Sequence, residues 1–301
     1  MTAEASDAGP DPTALLRDVG WPAPLRATPV TGGWDTRIWR FETPDGASHA
    51  LRLYRPGPWA QAAARREAAA LRAVAAAGLP APNVEATGES DGRSFLILTW
   101  LDGGSMAKIL GARPWEVWRL GVTFGRLQAR LHQVAPPPDL STSDRADWAG
   151  MVEDGALTAA VRTAAGPAVF CHGDYHPLNV LVRTPRITGL IDFVNAMAAD
   201  RRADLGITHT ILTAAPLEPD PLQPMFQVAR HLFARAWRQG YRSRAGSFPL
   251  DPLFEAWGAA YYLRGLEAAV RDGRGWATAA DATRLHRIIH DRKQTAGLST
   301  G

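Results

Sequence analysis

The amino-acid sequence predicts an α+β fold with two lobes: a small β-rich N-terminal lobe over residues 1–101 and a larger helical C-terminal lobe over residues 102–301. In the first hundred residues, most segments alternate apolar and polar side chains, which is the pattern of half-buried strands. Beyond the glycine pair at positions 103–104, most segments have helical periodicity instead. A chain of 301 residues is long enough for each lobe to have its own core.

The N-terminal lobe is predicted to contain about five strands and one main helix. Asp11 can cap a first short helix at Pro12, after a tail of small and acidic residues, 1–11, which we expect to be disordered. The stretches "TRIWRFET" and "SHALRLYR" flank a "TPDG" turn and predict a β-hairpin, and "NVEATG" and "SFLILTW" predict two more strands. Between them, "PWAQAAARREAAALRAVAAAG" predicts an alanine-rich helix that ends at Gly78 and Pro80.

The C-terminal lobe is predicted to be helical, with one β-hairpin inside it. In "PWEVWRLGVTFGRLQARLHQV" the apolar residues share one helical face: Leu120, Phe124, Leu127 and Leu131. The stretches "AVFCHGDYHPLNVLV" and "RITGLIDFV" predict a hairpin across the turn "RTPR". The last hundred residues return to helices, including "LFEAWGAAYYLRGLEAAVR" and "ATRLHRIIHDRK".

Composition limits the classes of function. The formal net charge is +3, and no basic run carries interleaved aromatic residues, so we expect no nucleic-acid surface. No apolar run is long enough to span a bilayer and the N-terminus lacks a signal-peptide pattern, so we expect a cytoplasmic protein with no membrane partner. Cys171 is the single cysteine, which agrees with a reducing compartment. The sequence leaves the oligomeric state open.

Four polar residues interrupt the apolar stretch "AVFCHGDYHPLNVLV": His172, Asp174, His176 and Asn179. Such groups are costly to bury unless they are paired or bind something. One alternative is a metallohydrolase, whose transition metal would be held by the H-x-D-x-H pattern. The other alternative combines Asp174 and Asn179 with Asp192, which ends a buried strand in "GLIDF". Across the hairpin, Asn179 and Asp192 can share one Mg²⁺, which is an arrangement for phosphoryl transfer.

The second alternative carries a resemblance to a known family. The motif H-G-D-x-x-x-x-N, followed thirteen residues after its Asn by I-D-F, resembles the signature of the aminoglycoside phosphotransferase family. Members of that family share the protein-kinase-like fold, with a small β-rich lobe and a larger helical lobe. The resemblance therefore implies an ATP-dependent kinase that transfers a γ-phosphoryl group to a hydroxyl of a small molecule, an antibiotic or a metabolite. It also implies Mg²⁺ as a cofactor, with GTP as a possible donor in place of ATP.

The resemblance assigns roles to the residues of these motifs. Asp174 is the predicted catalytic residue, which faces the acceptor hydroxyl, and Asn179 and Asp192 are the predicted Mg²⁺ ligands. Arg52 in "ALRLY" and Glu67 in "RREAAAL" are predicted to pair with each other and with the nucleotide phosphates. Arg52 is a departure from the pattern, because the wider kinase fold has Lys at this point.

Further residues are predicted to surround the nucleotide or to support the loop. Gly32 and Gly33 would cover the phosphates, and the backbone of Thr99, Trp100 and Leu101 would contact the adenine edge. Asp204 in "DRRADLG" is predicted to brace the catalytic loop, with a helix N-cap as the alternative or additional reading. His172 is expected to support the same loop, and His176 has no predicted role.

Other classes of function stay open at this point. A pseudokinase-like nucleotide-binding module would lack one of the catalytic residues, whereas Arg52, Asp174 and Asn179 are all present. A protein kinase is disfavoured because no long segment ending in A-P-E follows Asp192. The arginine-rich C-terminal third predicts that the acceptor is not a polycation.

Overall fold

The computed structural model describes residues 11–30, 36–216, 223–273 and 277–298, and it confirms the predicted α+β fold class. The strands are β1 Arg26–Val30, β2 Thr36–Glu42, β3 Ser48–Tyr54, β4 Val84–Ser90, β5 Arg93–Thr99, β6 Gly104–Ser105, β7 Ala168–Cys171, β8 Val180–Arg183, β9 Arg186–Leu190 and β10 Met197–Asp200. The helices are α1 Pro12–Asp18, α2 Ala60–Ala76, α3 Met106–Ala112, α4 Val117–Leu131, α5 Pro138–Ser141, α6 Gly155–Ala164, α7 Arg201–Ala214, α8 Gln223–Ala245, α9 Pro252–Arg271 and α10 Ala279–Thr295.

The N-terminal part forms one antiparallel sheet of five strands in the order β1-β2-β3-β5-β4. In its centre, Arg52 of β3 lies opposite Ile38 of β2 and Leu96 of β5. Because side chains alternate between the two faces of a strand, Leu51 and Leu53 pack on the other face, in the cluster that includes α1. Arg52 is therefore directed toward the rest of the molecule and not toward α1.

Helix α2 packs on the face of the sheet that carries Arg52, and it ends where the sequence predicts. Its many alanines favour the helix and let it lie close to the strands, and Leu71 and Val74 are fully buried. Gly78 has a φ of +69°, and the Leu79 N–H bonds the Val74 carbonyl, so a left-handed glycine closes the helix. Glu67 lies on the buried side of α2 with only 1% exposure.

The C-terminal part is mainly helical, around two small sheets. The predicted hairpin is present as β8–β9, with Val180 opposite Leu190, and β6 extends it to three strands. β7 pairs with β10. Helices α4 and α8 pack closely where Gly125 has no side chain: a Cβ there would lie only 2.0 Å from the Trp237 carbonyl oxygen.

One apolar core runs from α2 and β5 of the first part through α4, β8 and α8 of the second. This core joins the face of the sheet that packs on α2 to the β8–β9 hairpin. The loop between β7 and β8 is therefore supported by both parts of the molecule. The proposed boundary between residues 101 and 102 stays a prediction. Within the described ranges, no helix is both long and apolar enough to cross a membrane.

Candidate active site

Arg52 makes the central ion pairs of the site. Its Nη1 lies 3.1 Å from Oε1 of Glu67, and its Nη2 donates a hydrogen bond of 2.8 Å to Oδ1 of Asp192. Burial disfavours the charged guanidinium, but Asp192 and Glu67 outweigh it and raise the pKa of Arg52. Burial is also the main reason why the pKa of Glu67 is raised, even beside Arg52. The structure thus brings together strand β3, helix α2 and Asp192, the second residue after β9.

Two groups that the sequence did not single out complete the environment of Glu67. Tyr54, two residues after Arg52 on β3, donates its hydroxyl to Glu67 Oε2. The Phe193 N–H donates to Glu67 Oε1 at 3.3 Å. The alternation of β3 places Tyr54 on the same face as Arg52, which is the signal that could have identified it.

The polar loop between β7 and β8 is built around Asp174. The Asn179 amide nitrogen donates to the Asp174 carbonyl oxygen at 3.0 Å and to its Oδ2 at 3.3 Å. His176 Nε2 lies 3.4 Å from Asp174 Oδ1, while His176 Nδ1 accepts the Leu178 N–H. Burial would raise the pKa of Asp174, but the neighbouring His176 outweighs it and lowers that pKa. Asp174 is therefore an ionised carboxylate with 30% of its side chain exposed.

The predicted metal ligands come from the two strands of the hairpin. The Ile191 N–H bonds the Asn179 carbonyl at 3.1 Å, which places Asn179 beside the residue that precedes Asp192. Asp192 has left-handed backbone angles, φ 66° and ψ 63°, and its side chain is 36% exposed. An amide oxygen and a carboxylate are oxygen donors of the kind that Mg²⁺ prefers, with phosphate oxygens as its other ligands. The residue types present fit the ion, although the ligand roles stay predictions.

Asp204 and His172 both hold the backbone of this part of the site. Asp204 is fully buried, and its Oδ1 accepts the Gly173 N–H at 2.8 Å. His172 is also fully buried, and its Nε2 donates to the Ile191 carbonyl at 3.1 Å. Burial lowers the pKa of His172, so the ring is neutral. The N-cap reading of Asp204 is wrong, because α7 begins at Arg201 and Asp200 caps it.

Helix α4 supplies partners of Asp204 that the sequence analysis missed. Gln128 donates to Asp204 Oδ2 at 2.8 Å, and His132 Nε2 donates to the same oxygen at 2.9 Å. Both are buried, and their spacing of four residues puts them on one helical face. Two polar residues at this spacing beside an apolar stripe are a signal that could have identified them.

Two of the three backbone N–H groups predicted to contact the adenine edge already have partners within the protein. The Thr99 N–H bonds the Asn83 carbonyl and the Trp100 N–H bonds the Ser48 carbonyl, both at 3.0 Å. Within the described ranges, the Leu101 N–H has no backbone partner, and a contact of this segment with the adenine edge stays a prediction. Gly32 and Gly33 lie outside the described residues.

Comparison with known proteins decides the family. The model of the phosphotransferase enzyme family, APH, matches residues 26–272. This chain belongs to that family. The match confirms the predicted resemblance and the predicted enzyme class, a phosphotransferase that acts on hydroxyl groups. No curated protein matches the sequence.

Solved structures similar to this phosphotransferase show the same fold. Aminoglycoside phosphotransferase APH(4)-Ia superposes with a TM-score of 0.61 at 17% identity, over 92% of this chain and 96% of that one. Amicoumacin kinase hAmiN has a TM-score of 0.60 at 15% identity, over 95% and 94%. Macrolide 2'-phosphotransferase MphH from Brachybacterium faecium has a TM-score of 0.52 at 19% identity, over 92% and 97%.

The metallohydrolase alternative finds no support in the site. In the part of the chain that the structure describes, no three His, Cys, Asp or Glu side chains come together as a metal-binding group. His172, the first member of the H-x-D-x-H pattern, is fully buried and uses its Nε2 on a backbone carbonyl. The family match instead agrees with a small-molecule kinase.

Proposed function

We propose that this phosphotransferase transfers the γ-phosphoryl group of ATP, with Mg²⁺, to a hydroxyl group of a small molecule. The observation that carries the proposal is the ionised, partly exposed carboxylate of Asp174. The loop that carries it is fixed by the buried Asp204, which accepts the Gly173 N–H. The Arg52–Asp192 pair lies nearby, because the N–H of Ile191, the residue before Asp192, bonds the Asn179 carbonyl of this loop at 3.1 Å. In this proposal the acceptor binds beside Asp174, and the nucleotide binds beside Arg52 and Asp192.

The solved relatives support a nucleotide and a divalent cation as ligands. APH(4)-Ia was crystallised as a ternary complex with ADP and hygromycin B. Amicoumacin kinase was crystallised with AMP-PNP, Ca²⁺ and its substrate. We propose ATP and Mg²⁺ for this chain, with an acceptor among antibiotics or metabolites and a cytoplasmic location. These relatives accept chemically different molecules, so they do not identify the acceptor.

The proposed reaction forms a bond between the acceptor oxygen and the γ-phosphorus and breaks the bond to the leaving oxygen of ADP. Asp174 orients the hydroxyl and accepts its proton, which an ionised carboxylate can do. Arg52 contributes positive charge beside the phosphates, while Asn179 and Asp192 would hold Mg²⁺. The bound ion would neutralise developing phosphate charge. Most of the rate enhancement then comes from positioning and charge stabilisation.

Two substitutions test the proposal by separating chemistry from binding. Asp174→Asn keeps the shape and removes the charge, so binding of ATP with Mg²⁺ should survive while turnover falls by ~10²–10⁴-fold. Asp192→Asn removes a metal ligand, so it should also weaken Mg²⁺-dependent nucleotide binding. Calorimetric titration of ATP with Mg²⁺ and a screen of ATP consumption against hydroxyl-bearing antibiotics and metabolites provide the two readouts.

A matched control is Asp147→Asn, because Asp147 is 64% exposed and pairs with Arg162 on the surface. This change should leave both readouts unaltered. If Asp174→Asn abolishes nucleotide binding while Asp192→Asn leaves it intact, the two roles are assigned the wrong way round. If neither change affects ATP turnover, the proposed function is wrong.

A further inference from the structure

Three side chains beside the catalytic loop form a cluster that the proposed reaction does not use: Arg145, Asn195 and Tyr261, here called the Arg145 cluster. Asn195 packs against Gly173, the residue before Asp174, so tightly that a Cβ on Gly173 would lie 2.1 Å from the Asn195 carbonyl oxygen. The cluster therefore begins at the position next to the catalytic carboxylate.

The guanidinium of Arg145 is held in place by the other two members. Its Nη2 donates to Asn195 Oδ1 at 2.7 Å, and its Nη1 donates to the Tyr261 hydroxyl at 2.7 Å. The same Nη1 lies 3.9 Å from Met151 Sδ. A planar group fixed at both ends is pre-organised, so a ligand that binds it does not have to order the side chain.

The charge of Arg145 lacks a counter-ion. Its partners are an amide, a phenol and a thioether, all neutral, and within the described ranges no carboxylate forms an ion pair with it. Its Nε is buried without a hydrogen-bond partner. Its Nη2 carries two N–H bonds and donates one of them to Asn195, so a donor remains for a ligand.

A second arginine increases the positive charge at this place. Arg66 of α2 donates to the Val194 carbonyl at 2.8 Å and pairs with Asp144. Asp144 directly precedes Arg145, so its pair with Arg66 places the second cation close by. Burial lowers the pKa of Arg66, and the positive charge of Arg145 lowers it further. Asp144 pairs with Arg66 and not with Arg145, so the charge of Arg145 stays uncompensated.

Tyr261 joins the cluster to helix α9. Tyr262 follows Tyr261 on this helix, and its pKa is raised to about 12, first by burial and then by the charge of Asp174. The helix that carries the Tyr261 partner of Arg145 therefore lies within electrostatic reach of the catalytic carboxylate. The contact of Asn195 with Gly173 and its bond to Arg145 together place Arg145 close to Asp174.

We propose that Arg145 is a specificity-determining residue that binds a carboxylate of the acceptor, so that the substrates are alcohols that also carry a carboxylate group. This inference rests on the proposed function, because it concerns the acceptor of that reaction. The N–H of Arg145 Nη2 that Asn195 leaves free can donate to a carboxylate oxygen of the acceptor, and the opposite charges strengthen this bond. Its charge also offsets the repulsion between an anionic acceptor and Asp174, and it disfavours acceptors that carry ammonium groups.

The test compares hydroxy acids with their neutral amides. Glycerate, 3-hydroxybutyrate and 4-hydroxybenzoate are titrated at neutral pH against glyceramide, 3-hydroxybutyramide and 4-hydroxybenzamide, by calorimetry, with and without AMP-PNP and Mg²⁺. We expect the wild-type protein to bind at least one acid about tenfold more tightly than its amide, a difference within the range of one charged hydrogen bond. Arg145→Gln should abolish this preference, and Arg145→Lys should keep part of it.

Arg162→Gln is the matched control, because Arg162 is 55% exposed and its carboxylate partner is also on the surface. It should leave the preference unchanged, and thermal unfolding checks that each variant is folded. The inference is wrong if no acid binds more tightly than its amide, or if the preference survives in Arg145→Gln.

Failure of the inference and failure of the proposed function have different signatures. If ATP with Mg²⁺ binds and the Asp174→Asn change lowers turnover, but no carboxylate preference depends on Arg145, only the inference fails. If the wild-type protein neither binds ATP with Mg²⁺ nor consumes it, the proposed function fails. An Arg145-dependent carboxylate preference would in that case describe a binding site without the reaction.

Discussion

Arg52 Nη2 lies 2.8 Å from Asp192 Oδ1, although 140 positions separate the two residues in the chain. Arg52 also pairs with Glu67, so one guanidinium joins β3 and α2 to the segment that carries the predicted metal ligand. The sequence predicted only the second of these pairs. A non-glycine residue with left-handed backbone angles, as in Asp192, costs of order 1–3 kcal/mol unless its surroundings hold it, and the ion pair to Arg52 is one such restraint.

Replacement of Arg52 should affect both binding and stability. Arg52→Ala should reduce ATP affinity and turnover by the equivalent of about 1–3 kcal/mol, the value of a lost charged hydrogen bond. It also leaves Glu67 buried without its cation, which should lower the free energy of unfolding by about 3–5 kcal/mol. Calorimetry with ATP and denaturant titration measure the two effects.

Two further variants sharpen this test. Arg52→Lys keeps the charge but cannot reach two carboxylates with one planar group, so we expect an intermediate affinity. Arg65→Ala, on the exposed side of α2, should change neither quantity. An unchanged ATP affinity and turnover in Arg52→Ala would show that Arg52 does not bind the nucleotide.

A methyl group at Gly173 should displace the catalytic loop. Gly173 and Gly46 both have positive φ values, +73° and +84°, so alanine costs about 1 kcal/mol of backbone strain at either position. Only at Gly173 would the new Cβ meet another atom, the Asn195 carbonyl oxygen at 2.1 Å. Gly173→Ala should therefore lower kcat by roughly 10²-fold, because the neighbouring Asp174 must shift.

Gly46→Ala is the control for strain without a steric clash, since nothing lies within 4 Å of its Cβ position. It should lower stability slightly and leave kcat unchanged. Equal kcat values for the two alanine variants would contradict the assignment of Asp174 as the group that must be positioned.

His209 should make the stability of the protein depend on pH. Burial, followed by the charges of Arg238 and Arg292, lowers its pKa to about 3, and its Nδ1 accepts a hydrogen bond from Arg238 at 3.1 Å. An unfolded histidine has a pKa near ~6.5, so below that pH the unfolded chain binds a proton that the folded chain does not. The contribution of His209 to the free energy of unfolding is therefore fully present above pH ~6.5 and is lost progressively as the pH falls toward 3.

Between pH 7 and pH 5 this loss amounts to about 2 kcal/mol for one such group. His209→Gln keeps an acceptor for Arg238 and does not titrate, so denaturant unfolding at the two pH values should show a smaller loss. His231→Gln, at an exposed position of α8, should show the same loss as the wild-type protein. If the pH dependence is the same in His209→Gln as in the wild type, His209 does not cause it.

The acceptor is predicted not to be a polycation. Aminoglycosides carry several ammonium groups and need clustered carboxylates, whereas Arg145, near Asp174, has only neutral partners and Asp144 is paired with Arg66. Steady-state rates with kanamycin-like compounds should therefore show weak or no phosphorylation. A Michaelis constant in the low micromolar range, with efficient turnover, would contradict this prediction.

Local patterns in the sequence were sufficient for much of the fold and for the catalytic loop. The alternation of apolar and polar residues predicted the strands around Arg52, and Gly78 predicted the end of α2. Strand formation and helix termination could be predicted because each depends on residues close together in the chain. The motif around Asp174 and Asn179 is likewise short, so its residues share one loop wherever that loop is placed. The hairpin that brings Asn179 to the residue before Asp192 closes over a short turn. The sequence therefore also predicted that these two strands pair.

Only the tertiary structure decided which distant side chains meet these residues. The ion pair of Arg52 with Asp192, the bonds of Gln128 and His132 to Asp204 and the bonds of Arg145 to Asn195 and Tyr261 all join segments far apart in the chain. A side chain such as Arg145 can have many partners, and its sequence neighbours do not determine which one it finds. The choice follows from how helices and strands pack around a common core and from the cost of burying a charge without a partner. The sequence by itself therefore determined the local elements and the chemistry of one loop, and the packing of those elements decided which charges surround it.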